Sequence, residues 1–202
     1  MKLTDIFCKT KNTRPRDKFL SKLFGIFSEE IVSIWCKCEE TPYSNIGRPT
    51  LMVSEKKEKG KQIDFTLKNK KGDLYVAECK CLLEYSNFKY LTLEDSKQFQ
   101  PHLKKPAFNY FLNISRHPKD YDVKLKNNTE SIKVKGGILI WGSIDERKKT
   151  IIQQEYNFED ILSVENMITH LINSENQDYK DLIKNIKGWT NDFCDSIVYT
   201  SQ

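Results

Sequence analysis

A β-hairpin that carries charged residues constrains this fold more than any other stretch. Residues 62–81 read QIDFTLKNKKGDLYVAECKC, in which two runs of strand-forming residues flank the turn sequence NKKG. Side chains alternate between the two faces of a strand, so Ile63 and Phe65 share one face and Asp64 takes the other. Pairing of the two strands would bring Asp64 close to Glu78 on one face of the sheet.

Two neighbouring carboxylates in a strand pair need a compensating charge. They repel each other, and their charged forms are costly to remove from water. A divalent cation is the simplest remedy, and Mg²⁺ prefers oxygen ligands while keeping several waters for phosphates. Lys80, two residues after Glu78, could orient the attacking water or neutralise charge on a phosphate. The alternative is an ordinary hairpin with an exposed Glu–Lys pair, which contributes little to stability.

The remaining pattern predicts one α/β domain with a mixed sheet. Apolar residues recur at helical spacing after Asp17, and GGILIWGS reads as a buried strand. Residues 115–135 are polar and predict a loop or a poorly formed hairpin. The other expected elements are a helix over 17–38, a strand over 50–54, a helix broken by Pro101 and Pro106 over 94–114, and closing helices over 158–173 and 176–195.

The first helix offers a third carboxylate. At 100° per residue, Phe27 and Ile34 mark the middle of its apolar stripe. Glu30 falls about 60° from that centre, whereas Glu29 falls on the far side. We therefore expect Glu30 to face the sheet and Glu29 to face water.

This arrangement resembles the PD-(D/E)XK nuclease superfamily, which has the restriction-endonuclease-like fold. The matching residues are Glu30 on the helix, Asp64 in QIDF, and Glu78-Cys79-Lys80 in AECK, with Ile-Asp in place of Pro-Asp. The resemblance implies a metal held by Asp64, Glu78 and the Cys79 backbone carbonyl, with Lys80 at the attacking water. Glu30 would be a further catalytic carboxylate, which assists a second metal or holds the first through water.

The resemblance also predicts how the chain is organised. Residues 1–16 form a basic lead-in, residues 17–145 the restriction-endonuclease-like core, and residues 146–202 a C-terminal helical extension of the same domain. The expected fold class is α/β, with a mixed central β-sheet flanked by helices and with added C-terminal helices.

The implied function is Mg²⁺-dependent hydrolysis of DNA phosphodiester bonds. A type II restriction endonuclease that acts as a homodimer on duplex DNA is favoured, because the chain exceeds the minimal core by about 60 residues. The alternatives are a non-catalytic nucleic-acid-binding module on the same fold, a repair or resolvase-type nuclease, and an RNA-cleaving nuclease.

The charge distribution suggests either a polyanionic partner or a Lys-rich chain whose lysines are simply solvated. Residues 1–150 carry 30 Lys and Arg against 19 Asp and Glu, whereas residues 151–202 carry 3 against 9. Arg48 follows a glycine at a predicted corner, where it could either form a fork with a phosphate or be a surface arginine in a turn. Gln100, Lys104 and Lys105 follow the Glu-X-Lys strand and are further candidates for nucleic-acid contact, whereas His102 is expected on the surface.

The six cysteines and the hydropathy pattern bear on location. The chain starts with a polar segment and has no apolar run of about 18 residues, so we expect a cytoplasmic protein that does not enter a membrane. Its cysteines should then be reduced. Cys36-X-Cys38 and Cys79-X-Cys81 could bind a metal, but core packing is the expected role.

Overall fold

The structure is a computed structural model, and it describes residues 2–7, 14–53, 60–80, 88, 90–125 and 130–199. Its strands are β1 (Tyr43–Gly47), β2 (Pro49–Val53), β3 (Lys61–Gln62), β4 (Phe65–Asn69), β5 (Leu74–Lys80), β6 (Thr92–Leu93), β7 (Tyr121–Leu125), β8 (Gly136–Trp141), β9 (Ser143–Ile144) and β10 (Asp160–Ser163). Its helices are α1 (Leu3–Phe7), α2 (Arg14–Trp35), α3 (Pro106–Arg116), α4 (Glu146–Tyr156), α5 (Val164–Asn173) and α6 (Gln177–Tyr199), with 3-10 helices at Ser96–His102 and Pro118–Asp120.

Five strands form a mixed central sheet in the order β1–β4–β5–β8–β10. β4 pairs antiparallel with β1 and β5, whereas β8 pairs parallel with β5 and β10. The predicted hairpin is therefore present as β4 and β5. The Asn69 side chain holds its turn by accepting hydrogen bonds from the backbone N–H groups of Lys71 (3.0 Å) and Asp73 (2.9 Å). Gly72 adopts a φ of +91° there, which glycine tolerates without a steric penalty.

Alternate side chains of the sheet pack against helices on both of its faces. Tyr75 and Ala77 belong to a core that includes α2 and α5, whereas Val76 belongs to a second core that includes α3 and Ile152 of α4. In β8, Ile138 likewise packs in the first core, whereas the residue that follows it packs in the second core. The predicted α/β class, with a mixed central sheet flanked by helices, is thereby confirmed.

A second, three-stranded sheet corrects the strand assignment before the hairpin. β2, which covers most of the strand predicted over 50–54, pairs with β3 and β7 rather than joining the central sheet, and Ser54 lies outside the described residues. β1 takes the edge of the central sheet, although its sequence predicted a turn. The chain bends at Asp64, so Ile63 packs in the second core and not beside Phe65. That bend breaks the alternation on which the expected common face depended.

Both ends of the chain are more structured than the sequence predicted. The lead-in over 1–16 contains α1, whose Leu3 and Phe7 are buried in the first core. The extension over 146–202 is not purely helical, because β10 lies within it and pairs parallel with β8. Only four residues of β10 are extended, which is too short a run to show a clear strand period in the sequence.

The first half of α6 packs on the domain, and the large apolar side chains of its second half are mostly exposed. Tyr179 and Leu182 contact the first core, whereas Trp189, Phe193 and Ile197 are mostly exposed. In the described part of the chain, no helix is both long and apolar enough to cross a membrane.

A glycine sets the distance between α3 and the sheet. A Cβ atom at Gly137 of β8 would lie 2.1 Å from Ser115 Oγ and 3.0 Å from a ring carbon of Phe111. Ser115 Oγ in turn donates a hydrogen bond to the Phe111 carbonyl at 2.9 Å. This close approach positions α3, and with it the preceding 3-10 helix beside the end of β5.

Candidate active site

Asp64 and Glu78 meet where the β4–β5 hairpin opens. The register pairs Phe65 with Ala77, which places Asp64 opposite Glu78 one residue further on. The Asp64 backbone N–H donates to Glu78 Oε2 at 3.3 Å, and the Cys79 backbone N–H donates to Asp64 Oδ2 at 2.9 Å. The two strands thus hold both carboxyl groups by backbone hydrogen bonds, which fixes their positions independently of side-chain packing.

Lys80 completes this group by pairing with Glu78. Its Nζ forms an ion pair with Glu78 Oε1, and only 3% of Glu78 is exposed. Burial raises the pKa of Glu78, the Asp64 charge raises it further, and the Lys80 charge opposes both. Burial alone would lower the pKa of Lys80, but the charges of Glu78 and Asp64 together raise it. The structure therefore brings Asp64, Glu78 and Lys80 together and favours a protonated Lys80.

The acidic residue of α2 that faces this group is Glu29, not Glu30. Glu30 is exposed, whereas the Glu29 carboxylate accepts a hydrogen bond from Arg48 Nη2 at 2.8 Å. The expected orientation was wrong because the buried stripe of α2 is centred on Ser28 and Ile31 rather than on Phe27. At 100° per residue, Glu30 lies about 160° from Ser28, on the opposite side of the helix.

Arg48 links α2 to the hairpin. Besides its bond to Glu29, its Nη2 lies 3.7 Å from Asp64 Oδ1, and its Nε donates to the Asp64 carbonyl at 3.4 Å. The sequence suggested a phosphate as its partner. In the structure its contacts are with two acidic residues, and it supplies a positive charge beside Asp64.

The candidates for nucleic-acid contact after β5 differ in position. Gln100, Lys104 and Lys105 are all exposed, and of these Lys105 lines a cavity beside Lys80. The neighbouring Gln98 has a structural role instead: its Oε1 accepts from the backbone N–H groups of Glu94 and Asp95, which caps the 3-10 helix.

That cavity has a volume of about 210 Å³ and lies between α2, the end of β5 and the 3-10 helix. Its lining residues are Gly25, Ser28, Glu29, Cys79, Lys80, His102 and Lys105. His102 was expected on the surface but is 1% exposed. Sequence reasoning missed it because the polar residues around it, QPHLKK, predicted an exposed segment, although Pro101 turns the chain there.

The cysteines support the packing role. Cys36 is buried, and burial raises the pKa of its thiol to about 12. Cys79 points towards α2, where its Sγ lies 3.7 Å from Ser28 Oγ, and Cys81 lies outside the described residues. Among the described residues, no three His, Cys, Asp or Glu side chains cluster as metal ligands.

The carboxylates nevertheless fit the smaller ligand set of Mg²⁺. Mg²⁺ is commonly bound through one or two carboxylates together with waters and substrate phosphates, and not by an all-protein cage. Asp64 and Glu78 provide such a pair of hard oxygen ligands. Burial is the main cause of the raised pKa of Glu78, and the Asp64 charge raises it further, so a cation held between the two carboxylates would reduce their repulsion.

Comparisons with protein-family models, curated proteins and solved structures found no match for this chain.

Proposed function

We propose that this chain is a Mg²⁺-dependent endonuclease that hydrolyses DNA phosphodiester bonds, with a restriction-endonuclease-like core. The observation that carries the proposal is the convergence of Asp64, Glu78 and Lys80 at one end of a hairpin, with Glu78 buried and paired to Lys80. A carboxylate with this little exposure is rarely retained on a strand without a partner or a ligand.

The order of elements supports the same proposal. The resemblance to PD-(D/E)XK nucleases implies a helix, a strand, an Asp-bearing strand, a strand ending in Glu-X-Lys, a helix and a final strand. The chain runs through α2, β1, β4, β5, α3 and β8 in that order, and all four strands lie in the central sheet. Asp64 comes immediately before β4, and Lys80 is the last residue of β5.

Asp64 and Glu78 would hold the metal ion, and the resemblance adds the Cys79 carbonyl. A bound Mg²⁺ supplies Lewis-acid stabilisation of the phosphate and lowers the pKa of water. In the reaction, the oxygen of a water bonds to phosphorus and gives up a proton to solvent, the bond from phosphorus to the leaving deoxyribose oxygen breaks, and that oxygen takes up a proton from solvent. Lys80, kept protonated by its acidic neighbours, stabilises the negative charge that develops on the phosphate.

Glu29 would replace Glu30 as the carboxylate that α2 contributes. Its charge is shared with Arg48, which also lies beside Asp64. Glu29 therefore acts through Arg48. Because Glu29 pairs with the guanidinium of Arg48, the positive charge of Arg48 neutralises Asp64 only in part.

DNA as substrate and a homodimer as the acting form are the finer parts of the proposal. The excess of Lys and Arg over residues 1–150 supports a polyanionic substrate. The exposed apolar side chains of α6, Trp189, Phe193 and Ile197, support a protein–protein contact. A type II restriction endonuclease would combine these two properties.

A non-catalytic binding module is the second candidate. It is favoured by the pairing of the charges at the site, because Glu78 already pairs with Lys80 and Glu29 already pairs with Arg48. Such a protein would bind nucleic acid through its basic residues and leave the phosphodiester bonds intact.

Incubation of plasmid DNA with the full chain and Mg²⁺ separates these functions. Discrete fragments indicate a restriction endonuclease, and a smear indicates a nonspecific nuclease. Intact plasmid, together with a gel shift, would reject the nuclease and favour the binding module. Glu78→Gln serves as the matched negative control, because it removes the charge and preserves the size of the side chain.

A further inference from the structure

We propose that the cavity beside Lys80 is a phosphate-binding subsite, in which His102 and Lys105 contact a backbone phosphate next to the one that is cleaved. This inference rests on the proposed nuclease function, because it assigns part of the substrate to a second set of residues. The group bound in the cavity would be a phosphodiester oxygen.

The imidazole of His102 is buried without hydrogen bonds. Within the described part of the chain, neither of its ring nitrogens has a hydrogen-bond partner. Its ring is held between Phe108 and Trp141, with centroid distances of 5.2 and 5.8 Å. A buried polar group without partners lowers stability, so a ligand in the cavity that supplies a partner is favoured.

The imidazole of His102 is uncharged at neutral pH and can donate one hydrogen bond. Burial, together with the positive charges of Lys80 and Lys105, lowers its pKa to about 3. At neutral pH one ring nitrogen therefore carries a proton and donates, while the other accepts. A phosphate oxygen would accept from the first, and a water could donate to the second.

The charges that line the cavity favour an anion. The negative charge of Glu29 is paired with Arg48, and the positive charge of Lys80 is paired with Glu78. Within the described ranges, Lys105 has no ion pair, so its positive charge is not neutralised by an acidic side chain. A negatively charged ligand would be attracted by that unbalanced lysine.

The cavity is also large enough for this ligand. A water molecule occupies about 30 Å³ in the liquid, so a volume of about 210 Å³ accommodates a phosphate group with bound waters. Lys80 lines this cavity and also pairs with Glu78, so the cavity adjoins the proposed cleavage site. Gly25 forms part of the wall, and a Cβ there would meet no atom within 4 Å.

The direct test follows the imidazole signals of the full chain by NMR during titration with inorganic phosphate, with chloride at matched ionic strength as reference. The signals are assigned with His102→Phe and His117→Phe. We expect the His102 signals to shift saturably and those of the exposed His117 to stay unchanged. Equal shifts, or no shift at His102, would overturn the subsite.

A second measurement uses a short DNA duplex in Ca²⁺, with the dissociation constant measured by fluorescence anisotropy at several salt concentrations. Lys105→Gln should weaken binding about fivefold and reduce the salt slope by roughly one. Lys104→Gln, the adjacent exposed lysine outside the cavity, should change binding less than about twofold. His102→Phe and Gly25→Leu should weaken binding with an unchanged slope, because neither alters a charge. Equal effects at Lys104 and Lys105 would count against the subsite.

The two proposals fail in different ways. If the chain cleaves plasmid but the His102 signals do not shift with phosphate, the nuclease function stands and the subsite is rejected. If the His102 signals shift with phosphate but plasmid stays intact, the subsite stands and the nuclease function is rejected.

Discussion

Arg48 Nη2 lies 2.8 Å from the Glu29 carboxylate, so one ion pair joins α2 to the open end of the hairpin. The same guanidinium lies 3.7 Å from Asp64 Oδ1. Its positive charge is therefore shared between a carboxylate of the helix and a proposed metal ligand.

Glu29→Gln should raise the Mg²⁺ concentration needed for half-maximal cleavage, by roughly threefold to tenfold. Without its carboxylate partner, Arg48 would neutralise Asp64 more fully and compete with the cation. Because the two side chains are 43% and 46% exposed and water screens the pair, the free energy of unfolding should change by less than about 1 kcal/mol. Glu30→Gln, one residue along the helix and exposed, is the matched control and should behave as wild type. The reverse result would restore Glu30 as the third carboxylate.

Asp64→Asn should abolish cleavage in Mg²⁺ and leave DNA binding within about tenfold of wild type, or roughly 1.4 kcal/mol. The change removes a charged metal ligand and leaves the lysines and arginines that contact phosphates. Cleavage is measured in Mg²⁺ and a gel shift in Ca²⁺, at one salt concentration. Asp73→Asn, at the turn end of the same hairpin, controls for loss of an aspartate. Cleavage that survives Asp64→Asn would place the metal elsewhere.

Lys80→Met should lower the free energy of unfolding by about 3–5 kcal/mol, because it leaves Glu78 buried without its counter-charge. Combining it with Glu78→Gln should recover at least about 1 kcal/mol, since no buried charge then remains unpaired. Urea unfolding of wild type, both single variants and the double variant in EDTA gives the coupling free energy. Additive effects would mean that the pair is screened by solvent in spite of its burial.

His102 should make the protein sensitive to acid. Its folded pKa of about 3 lies below the unfolded value of about 6.5, so the stability contribution is present above pH 6.5 and is lost as the pH falls towards 3. The free energy of unfolding should fall by up to about 1.4 kcal/mol per pH unit from this group over that range. His102→Phe should remove this component from urea-unfolding curves at pH 7, 6 and 5, whereas His117→Phe should not. Parallel curves for His102→Phe and wild type would contradict a neutral, buried His102.

Gly137→Ala should destabilise the fold by about 1–3 kcal/mol, because its methyl group would overlap Ser115 at the contact between α3 and β8. Gly188→Ala is the matched control. It lies in α6 with no atom within 4 Å of an added Cβ, and should stabilise by up to about 1 kcal/mol through helix propensity. Thermal unfolding of both variants tests the pair. A neutral Gly137→Ala would show that α3 can move away from the sheet.

Local sequence patterns are sufficient to predict the hairpin and the charges within it. Its turn residues, its alternation and the spacing of Glu78 and Lys80 are local properties, because turn chemistry and strand parity act over a few residues. The α/β class followed from the order of helical and extended patterns. The meeting of Asp64 and Glu78 also followed, since antiparallel pairing across a short turn leaves few alternative registers.

The residues that complete the candidate site depend on contacts between segments far apart in the sequence. The rotation of α2, which presents Glu29 and hides Glu30 from the site, depends on how the helix packs against the sheet and α5 at once. The burial of His102 depends on Trp141, 39 positions away in the sequence. The bend at Asp64 and the pairing of β10 with β8 likewise depend on contacts between distant segments. A local pattern cannot encode these contacts, because the free energy that selects them comes from packing between segments and exists only once the chain is folded.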